Sequence, residues 1–307
     1  MEPASHRPLA VLRIGVAAAL IGEAATLAPH LHEYYGPLGV VQPPISEALA
    51  HESLPSLSAL AGTLSFTGWT AAGIVQVAFA AYVIALHLLL LGYQTRIAAV
   101  ASWLLFLALK KSGSASAYGA FEFAQIGLFY CAVFPVGGAL SLDALRHPAP
   151  PTAGARLALR LLQLHLCVVY LSSGIEKALG EQWWNGEAIW RALMRPSDVG
   201  LDFSWLAYHP LVARIACWGT LAVEIGYAFL VWPRRTRPFW IMASIGLHLA
   251  IAIALGLFFF SAIMIALNVA AFLIPAGPLQ AVTRTSAGPG DFRIAGPDAS
   301  CPKAVPP

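Results

Sequence analysis

One lysine, Lys177, lies at the end of a long apolar stretch and is followed by a turn that contains Trp183 and Trp184. An ionisable side chain at membrane depth is costly, which makes it a candidate functional residue. Surroundings of low polarity favour the neutral amine, and a neutral lysine can accept a proton as a general base. The alternative is that Lys177 only extends its ammonium group to the lipid headgroups from a helix end.

The residues on the same helix face as Lys177 favour a functional site over simple anchoring at the headgroups. Gln163, Tyr170 and Lys177 are spaced by seven, and Ser173 lies four residues before the lysine, so the four side chains form one polar stripe. A stripe facing lipid would expose all four groups to hydrocarbon, so we expect it to turn inward and line a cavity in the outer half of the membrane. The residues expected to line this cavity from other segments are Tyr118, Glu122, Trp183, Gly186, Glu224 and His248.

The neighbours of Lys177 decide whether it can act as a base. An ionised carboxylate beside the lysine would hold it in its charged form. The base hypothesis therefore requires that any such carboxylate be distant, protonated or engaged elsewhere. A single His or Glu inside an apolar helix is more often a structural hydrogen-bond partner than a catalyst, and only convergence on one cavity would indicate a catalytic site.

The chain as a whole has the composition of a membrane protein. Of its 307 residues, 58% are hydrophobic and 11% are charged, and the mean hydropathy is +0.70. The apolar runs are continuous rather than alternating, which indicates helices and not a membrane barrel. We predict an all-α integral membrane protein, a polytopic bundle of about eight transmembrane helices. The predicted spans are 9–28, 70–91, 97–109, 120–138, 157–171, 211–232, 239–255 and 258–274.

Some details of this organisation stay open. Seven or nine spans are possible, because the third is short and only a turn near Gly256 separates the last two. The first span resembles a signal peptide, but Arg13 and Glu23 interrupt it, so we expect an uncleaved helix. Residues 1–275 are predicted to form one transmembrane domain, and residues 276–307 a disordered cytoplasmic tail. The loop of residues 30–65 is either a lid or partner-binding element or a passive surface loop.

Basic residues orient the predicted bundle. With eight spans, most Lys and Arg residues fall on one side, including the Pro-Arg-Arg-Thr-Arg-Pro turn of residues 233–238, and this excess marks the cytoplasmic side. Both termini are then cytoplasmic and Lys177 faces outward, and we expect the bundle to lie in the inner (plasma) membrane of the cell. The net charge of +3 reflects this topology and does not indicate nucleic-acid binding.

The cysteines indicate neither a disulfide framework nor a metal site, because the four residues show no paired spacing. The chain also has no P-loop and no Gly-x-Gly-x-x-Gly after a strand, and it lacks the paired broken helices of many transporters.

The expected partners are membrane lipid and a lipophilic small molecule. No protein partner is indicated.

The segment from Tyr170 to Leu193 resembles the signature of the HTTM (horizontally transferred transmembrane) domain, the membrane domain of vitamin K-dependent gamma-carboxylases and their bacterial relatives. The family pattern is an aromatic residue, a Gly-hydrophobic pair, Lys, and then Trp followed by Gly and a small residue. The matching residues here are Tyr170, Gly174, Ile175, Lys177, Trp183, Gly186 and Ala188. The resemblance extends from about Arg7 to Pro275.

The resemblance implies a specific chemistry. In the carboxylases the lysine that matches Lys177 is regarded as the base that deprotonates reduced vitamin K. Oxygen then converts the quinol to a strong alkoxide base and finally to an epoxide, and carbon dioxide adds to the glutamyl carbanion. The implied cofactors are a reduced quinone with O2 and CO2, and no metal.

Two departures narrow this expectation. The carboxylases carry an Asn-His pair before a Tyr-Gly, whereas Gly113 and Ser114 precede Tyr118 here, and only a small tail follows Pro275. We therefore do not expect gamma-carboxylation of propeptide-bearing proteins. A membrane enzyme that uses Lys177 as a base on a lipid-soluble quinol or small acid fits better. The alternatives are a non-catalytic accessory protein of a secretion, toxin or redox system and a small transporter.

Overall fold

The computed structural model describes residues 2–35, 45, 57, 70–112, 119–195 and 200–277, which form an all-helical bundle. The only β pairing in this part of the chain is a single bridge between Ala4 and Thr152. Short helical segments cover Ala28–His30, Leu31–Tyr35, Leu142–Arg146, Glu181–Asn185, Glu187–Leu193 and Ser204–Tyr208. The long helices are α1 (Arg7–Leu27), α2 (Ala71–Leu91), α3 (Thr95–Ser112), α4 (Gly119–Val133), α5 (Ala153–Ala178), α6 (Pro210–Leu230), α7 (Arg237–Leu255) and α8 (Phe258–Asn268), and a π-helical turn over Val269–Leu273 continues α8.

The long helices coincide with the predicted spans, which confirms the all-α polytopic class. Five helical segments are long and apolar enough to cross a membrane, and two shorter helices are also apolar. The third predicted span, now α3, is not among these seven, because Arg96, Lys110 and Lys111 lie in it. The five are Arg7–Tyr35, Ala72–Leu91, Ala153–Ala178, Pro210–Leu230 and Arg237–Leu255, and the two shorter helices are Phe121–Val133 and Phe258–Leu273.

The bundle presents large apolar side chains outward and keeps several polar ones inside. Ile97, Phe229 and Met242 are each more than 60% exposed, whereas Arg13 and Asn268 are fully buried. In water this arrangement would be unfavourable, but in lipid the apolar surface meets an apolar solvent and the polar groups find partners inside the protein. The molecule is an integral membrane protein.

Local sequence determines where the helices begin and end. The Thr70 and Thr152 hydroxyls cap α2 and α5 by accepting the Gly73 and Ala155 backbone N–H groups. Gly256 has φ +72°, and it forms the tight turn between α7 and α8 that the sequence predicted. Thr152 and Gly256 therefore set ends of α5, α7 and α8, the helices that carry the site.

Helix α1 lies in the middle of the bundle, against α8 on one side and α2 on another. Its Arg13 is fully buried and donates hydrogen bonds to the carbonyls of Leu89, at 3.2 Å, and Leu140. Gly92, with φ +69°, passes so close that an added Cβ would lie 1.8 Å from Arg13 Nη1. The first predicted span is therefore a helix in the middle of the bundle. That it is uncleaved stays a prediction.

Asp143 fastens the segment after α4 to the start of α3. Its carboxylate accepts the Gln94 backbone N–H at 2.9 Å and the Thr95 backbone N–H at 2.7 Å, and the Thr95 hydroxyl donates at 2.6 Å. Partial burial raises the pKa of Asp143, but the hydrogen bonds from Thr95 and Gln94 outweigh it, so the pKa lies below its ordinary value.

Contacts of the N-terminal residues and of the turn before α7 define one end of the bundle. At one end Ala4 pairs with Thr152, Ser5 donates its backbone N–H to the Ala276 carbonyl, and Arg237 donates to the Val231 carbonyl at the end of α6. Lys177 is the second-last residue of α5, so it lies about 40 Å away at the other end.

The predicted loop element of residues 30–65 and the tail fall almost entirely outside the described residues.

Candidate functional site in the bundle

The side chain of Lys177 is held between α5 and α6 by two polar partners. Its Nζ donates to Ser173 Oγ at 2.5 Å and to Glu224 Oε1 at 3.0 Å. It also lies 2.9 Å from Glu224 Oε2, which makes no directed hydrogen bond of its own. The two side chains are 25% and 10% exposed. Of the three conditions set for a carboxylate near Lys177, distance is not met, because packing α5 against α6 places Glu224 beside the lysine. The base hypothesis then requires that Glu224 be protonated or engaged elsewhere.

Close packing of α5 on α6 makes this ion pair possible. Gly174, one residue after Ser173, has no side chain to separate the helices. A Cβ added there would lie 2.7 Å from Ile225 Cγ1 and 3.1 Å from the Ile225 backbone nitrogen. The Ser173, Lys177 and Glu224 side chains therefore meet because the α5 and α6 backbones approach closely at this glycine.

The ion pair lines a cavity of about 900 Å³ between α5, α6, α7, α8 and the short helix Glu187–Leu193. Most of its wall is apolar, and pockets of this size commonly hold small molecules with a few polar groups that fix their orientation. Ser172, Glu176 and Gly219 are exposed at its edge. The polar residues in the wall are Tyr170, Ser172, Ser173, Glu176, Lys177, Trp183, Thr220, Glu224 and His248.

A buried polar network lies deeper in the bundle and reaches the cavity at Tyr170 and His248. The Tyr170 hydroxyl lies 2.7 Å from His248 Nε2 and 3.2 Å from Ser244 Oγ, and it accepts the Asn268 side-chain N–H at 2.9 Å. Tyr227 donates to Asn268 Oδ1 at 2.6 Å and stacks on Tyr170 with ring centroids 4.2 Å apart. These hydrogen bonds hold in place the inner wall of the cavity, on the side away from Lys177.

The tryptophan-rich turn covers the end of the cavity nearest Lys177. The Trp183 ring lies 5.5 Å from Lys177 Nζ in a cation–π arrangement. Trp184 Nε1 donates to the Ala178 carbonyl at 2.8 Å, and Trp218 Nε1 donates to the Trp184 carbonyl at 3.1 Å. Gly186 has φ +93°, and an added Cβ would lie 2.8 Å from the Arg214 backbone nitrogen. The turn is therefore bonded to both α5 and α6.

The structure brings together only some of the residues predicted for this site. Tyr170, Ser173, Lys177, Trp183, Glu224 and His248 all line the cavity. Glu122 does not; it pairs with Lys110 at 2.6 Å, across the hairpin of α3 and α4. Gln163 is buried and donates to the Ala271 carbonyl at 2.6 Å, and Gly186 packs against α6. Tyr118 lies outside the described residues.

Sequence reasoning missed one residue that the network depends on, Asn268. It lies inside an apolar run just before the π-helical turn, and it is fully buried. An amide inside such a run is a signal in itself, because it must find hydrogen-bond partners within the protein. Two further members of the network, Ser244 and Tyr227, were not assigned to the site either.

Comparison with known proteins supports the family suggested by the Lys177 segment. The family model described as the HTTM domain matches residues 63–275, about two thirds of the chain. No curated protein and no solved structure matches the chain. The HTTM domain is associated with vitamin K-dependent carboxylase-like membrane proteins. The matched range contains Lys177 and every residue named above as lining the cavity. The chain therefore belongs to the HTTM domain family.

Proposed function

We propose that this protein is a carboxylase-like membrane enzyme that removes a proton from the hydroxyl of a lipophilic quinol at Lys177. The observation that carries the proposal is the position of Lys177 Nζ, which lies in the wall of a cavity of about 900 Å³ and is hydrogen-bonded to Ser173 and Glu224. An ordinary snorkelling lysine would extend toward bulk water and would not contact an apolar cavity.

The nearness of Glu224 changes how the base would work. Two groups within hydrogen-bond distance can exchange a proton, so the pair acts as one proton acceptor. When a quinol O–H bond breaks, its proton joins the Lys177–Glu224 pair, and the pair gains one positive charge next to the new quinolate. The proton shared within the pair can lie on Glu224, which leaves Lys177 as the neutral amine that accepts the quinol proton. The resulting Lys177 ammonium stabilises the quinolate while Glu224 stays protonated, so no isolated charge forms in the cavity.

The steps that we propose after deprotonation of the quinol follow from the family resemblance. A deprotonated quinol can react with O2, and the products are either quinone and hydrogen peroxide or quinone epoxide and water. CO2 is the further substrate if carboxylation follows. The cavity supports a ligand that arrives from the bilayer, because its wall is mainly apolar and small residues such as Ala216, Gly219 and Ala250 lie at its exposed edge.

Blocking the cavity tests this proposal. Purified protein in liposomes with menaquinol, a naphthoquinol with an isoprenoid tail, should consume O2 and give an oxidised product detectable by mass spectrometry. Gly219→Leu should lower the rate about tenfold or more, since the new side chain enters the cavity and displaces the ligand. Gly246→Leu is the matched control, because both glycines have open space where a Cβ would go and only Gly219 lines the cavity.

The two variants separate the outcomes. Equal loss in both would indicate a general effect of leucine on the fold. Full activity in Gly219→Leu would contradict the assignment of this cavity. Absence of quinol-dependent turnover in the wild-type protein would favour the alternative of a non-catalytic accessory protein.

We also propose that the protein lies in the inner (plasma) membrane with both termini cytoplasmic, so that the cavity opens toward the outer leaflet. The support is that Arg7, Arg156 and Arg237 lie at or near the starts of α1, α5 and α7, at the end of the bundle opposite Lys177. In a Cys301→Ser background, where Cys131, Cys167 and Cys217 are buried, Asn185→Cys should react with an impermeant maleimide on intact cells. Thr236→Cys should react only after permeabilisation, and the reverse pattern would place the cavity on the cytoplasmic side.

A further inference from the structure

The charged side chains in the wall of the cavity do not balance one another. Among the described residues, those that line it are Glu176, Lys177 and Glu224. Lys177 and Glu224 form an ion pair, with Lys177 Nζ 2.9 Å from Glu224 Oε2. This pair is neutral overall, whether its proton lies on the amine or on the carboxyl group. The net charge that the described wall presents is therefore the negative charge of Glu176.

His248 does not supply a balancing positive charge. Its ring is 3% exposed, its hydrogen bond is with the Tyr170 hydroxyl, and the Phe260 ring packs 5.5 Å from it. A buried imidazolium without an anionic partner is unfavourable, so the ring is neutral.

The charge of Glu176 is explained neither by an ion pair nor by helix stability. The residue is exposed at the cavity edge, and its side chain makes no hydrogen bond or ion pair with the residues that the structure describes. It also lies in the last turn of α5, which ends at Ala178. The helix dipole makes a carboxylate unfavourable at that position. The residue therefore carries a cost that an effect on the cavity would explain.

The ammonium group of Lys177 cannot attract an anion in place of Glu224. Both Glu224 oxygens lie within 3.0 Å of Lys177 Nζ, and Ser173 Oγ accepts a further hydrogen bond. An anionic headgroup would have to displace Glu224, whose side chain is 10% exposed, and would leave that carboxylate buried without its cation. Breaking a buried ion pair in this way is strongly unfavourable. An anion in the cavity therefore meets the repulsion of Glu176 without a compensating attraction.

We infer that Glu176 is a specificity-determining residue, which keeps anionic amphiphiles out of the cavity and admits uncharged ones. Fatty acids and anionic phospholipids are the competitors that a bilayer offers to an apolar cavity. At roughly 8 Å, in surroundings between protein and water in polarity, one unit charge changes an affinity about fivefold. The inference rests on the proposed role of this cavity as the ligand site, and it removes an ionised small acid from the candidate substrates.

The experiment compares two ligands that have the same tail and differ in headgroup charge. Bromododecanol is uncharged and bromododecanesulfonate is permanently anionic, and bromine quenches the fluorescence of a nearby tryptophan such as Trp183 in the cavity wall. Affinities are measured for the full chain in micelles of an uncharged detergent. Glu176→Gln should bind the sulfonate about fivefold more tightly than the wild-type protein and the alcohol equally well. Added salt should reduce this difference, because it screens the charge of Glu176.

Two further variants control the measurement. Glu181→Gln is matched to Glu176→Gln, because Glu181 is also an exposed glutamate near Lys177 but does not line the cavity, so its loss should change neither affinity. Gly219→Leu fills the cavity and should abolish quenching by the alcohol. Glu176→Gln should fold normally, since it removes a charge that the helix dipole disfavours, and its melting temperature checks this.

The outcomes separate the role of Glu176 from that of the cavity. An unchanged sulfonate affinity in Glu176→Gln, or an equal gain in Glu181→Gln, would overturn the role of Glu176 and leave the proposed function standing. Failure of the alcohol to bind the wild-type protein, or quenching that persists in Gly219→Leu, would overturn the ligand site as well.

Discussion

Lys177→Arg is expected to lower quinol-dependent O2 uptake by about 10²- to 10⁴-fold, the contribution typical of a positioned general base. Arginine keeps the positive charge and the length needed to contact Glu224, but its guanidinium does not release a proton under physiological conditions. The Lys177→Arg variant could still stabilise a quinolate through its charge, but it could not take part in the proton transfer. The measurement is the initial rate in liposomes, together with the thermal stability of the detergent-solubilised protein.

The same substitution also discriminates a catalytic role of Lys177 from an anchoring one. Arginine extends to the lipid headgroups as well as lysine does, so a purely anchoring residue would tolerate it. Lys110→Arg is the matched control: Lys110 also lies near a helix end and pairs with a glutamate, Glu122, but it does not line the main cavity. Full turnover in Lys177→Arg would show that Lys177 is not the base.

Gly174→Ala is expected to have the second large effect, at least about a 100-fold loss of turnover together with a lower melting temperature. An alanine in a helix is normally more stable than a glycine by about 1 kcal/mol. Here the new methyl group would meet the Ile225 backbone nitrogen at 3.1 Å, so α5 and α6 must separate. A shift of about 1 Å between Lys177 and Glu224 is enough for a loss of this size.

Gly246→Ala is the control for this prediction. Gly246 is also a helical glycine, but an added Cβ meets no atom within 4 Å, so the ordinary helix preference should make this variant equally or slightly more stable. If Gly174→Ala were also stable and active, close approach of α5 and α6 would not be required for the site.

The helices and one face of the site could be predicted from sequence, because both depend on short-range patterns. Continuous apolar runs locate the long helices, and a spacing of four and seven residues places Tyr170, Ser173 and Lys177 on one stripe. Such periodicity shows which residues of one helix share a face. It does not show which neighbouring helix they meet.

The incorrect assignments follow from that limit. Glu122 and Glu224 both lie within apolar stretches of sequence. However, α4 packs beside α3, and Glu122 pairs there with Lys110. Gln163 shares the stripe of Tyr170, but it binds the Ala271 carbonyl at the end of the bundle away from Lys177. The pairing of Lys177 with Glu224 depends on a close approach at Gly174, and Asn268 matters only because three helices meet at its amide.

The buried arginine of α1 has a consequence for how the protein is made. Arg13 finds its acceptors at Leu89 and Leu140, which follow it by 76 and 127 residues. A ribosome adds about 5–20 residues per second, so α1 leaves it on the order of ten seconds before its second acceptor exists. During that interval a guanidinium in hydrocarbon would cost about 3 kcal/mol. We therefore expect the nascent first helix to remain at the insertion machinery or near the membrane surface and to move inward only when the later helices arrive.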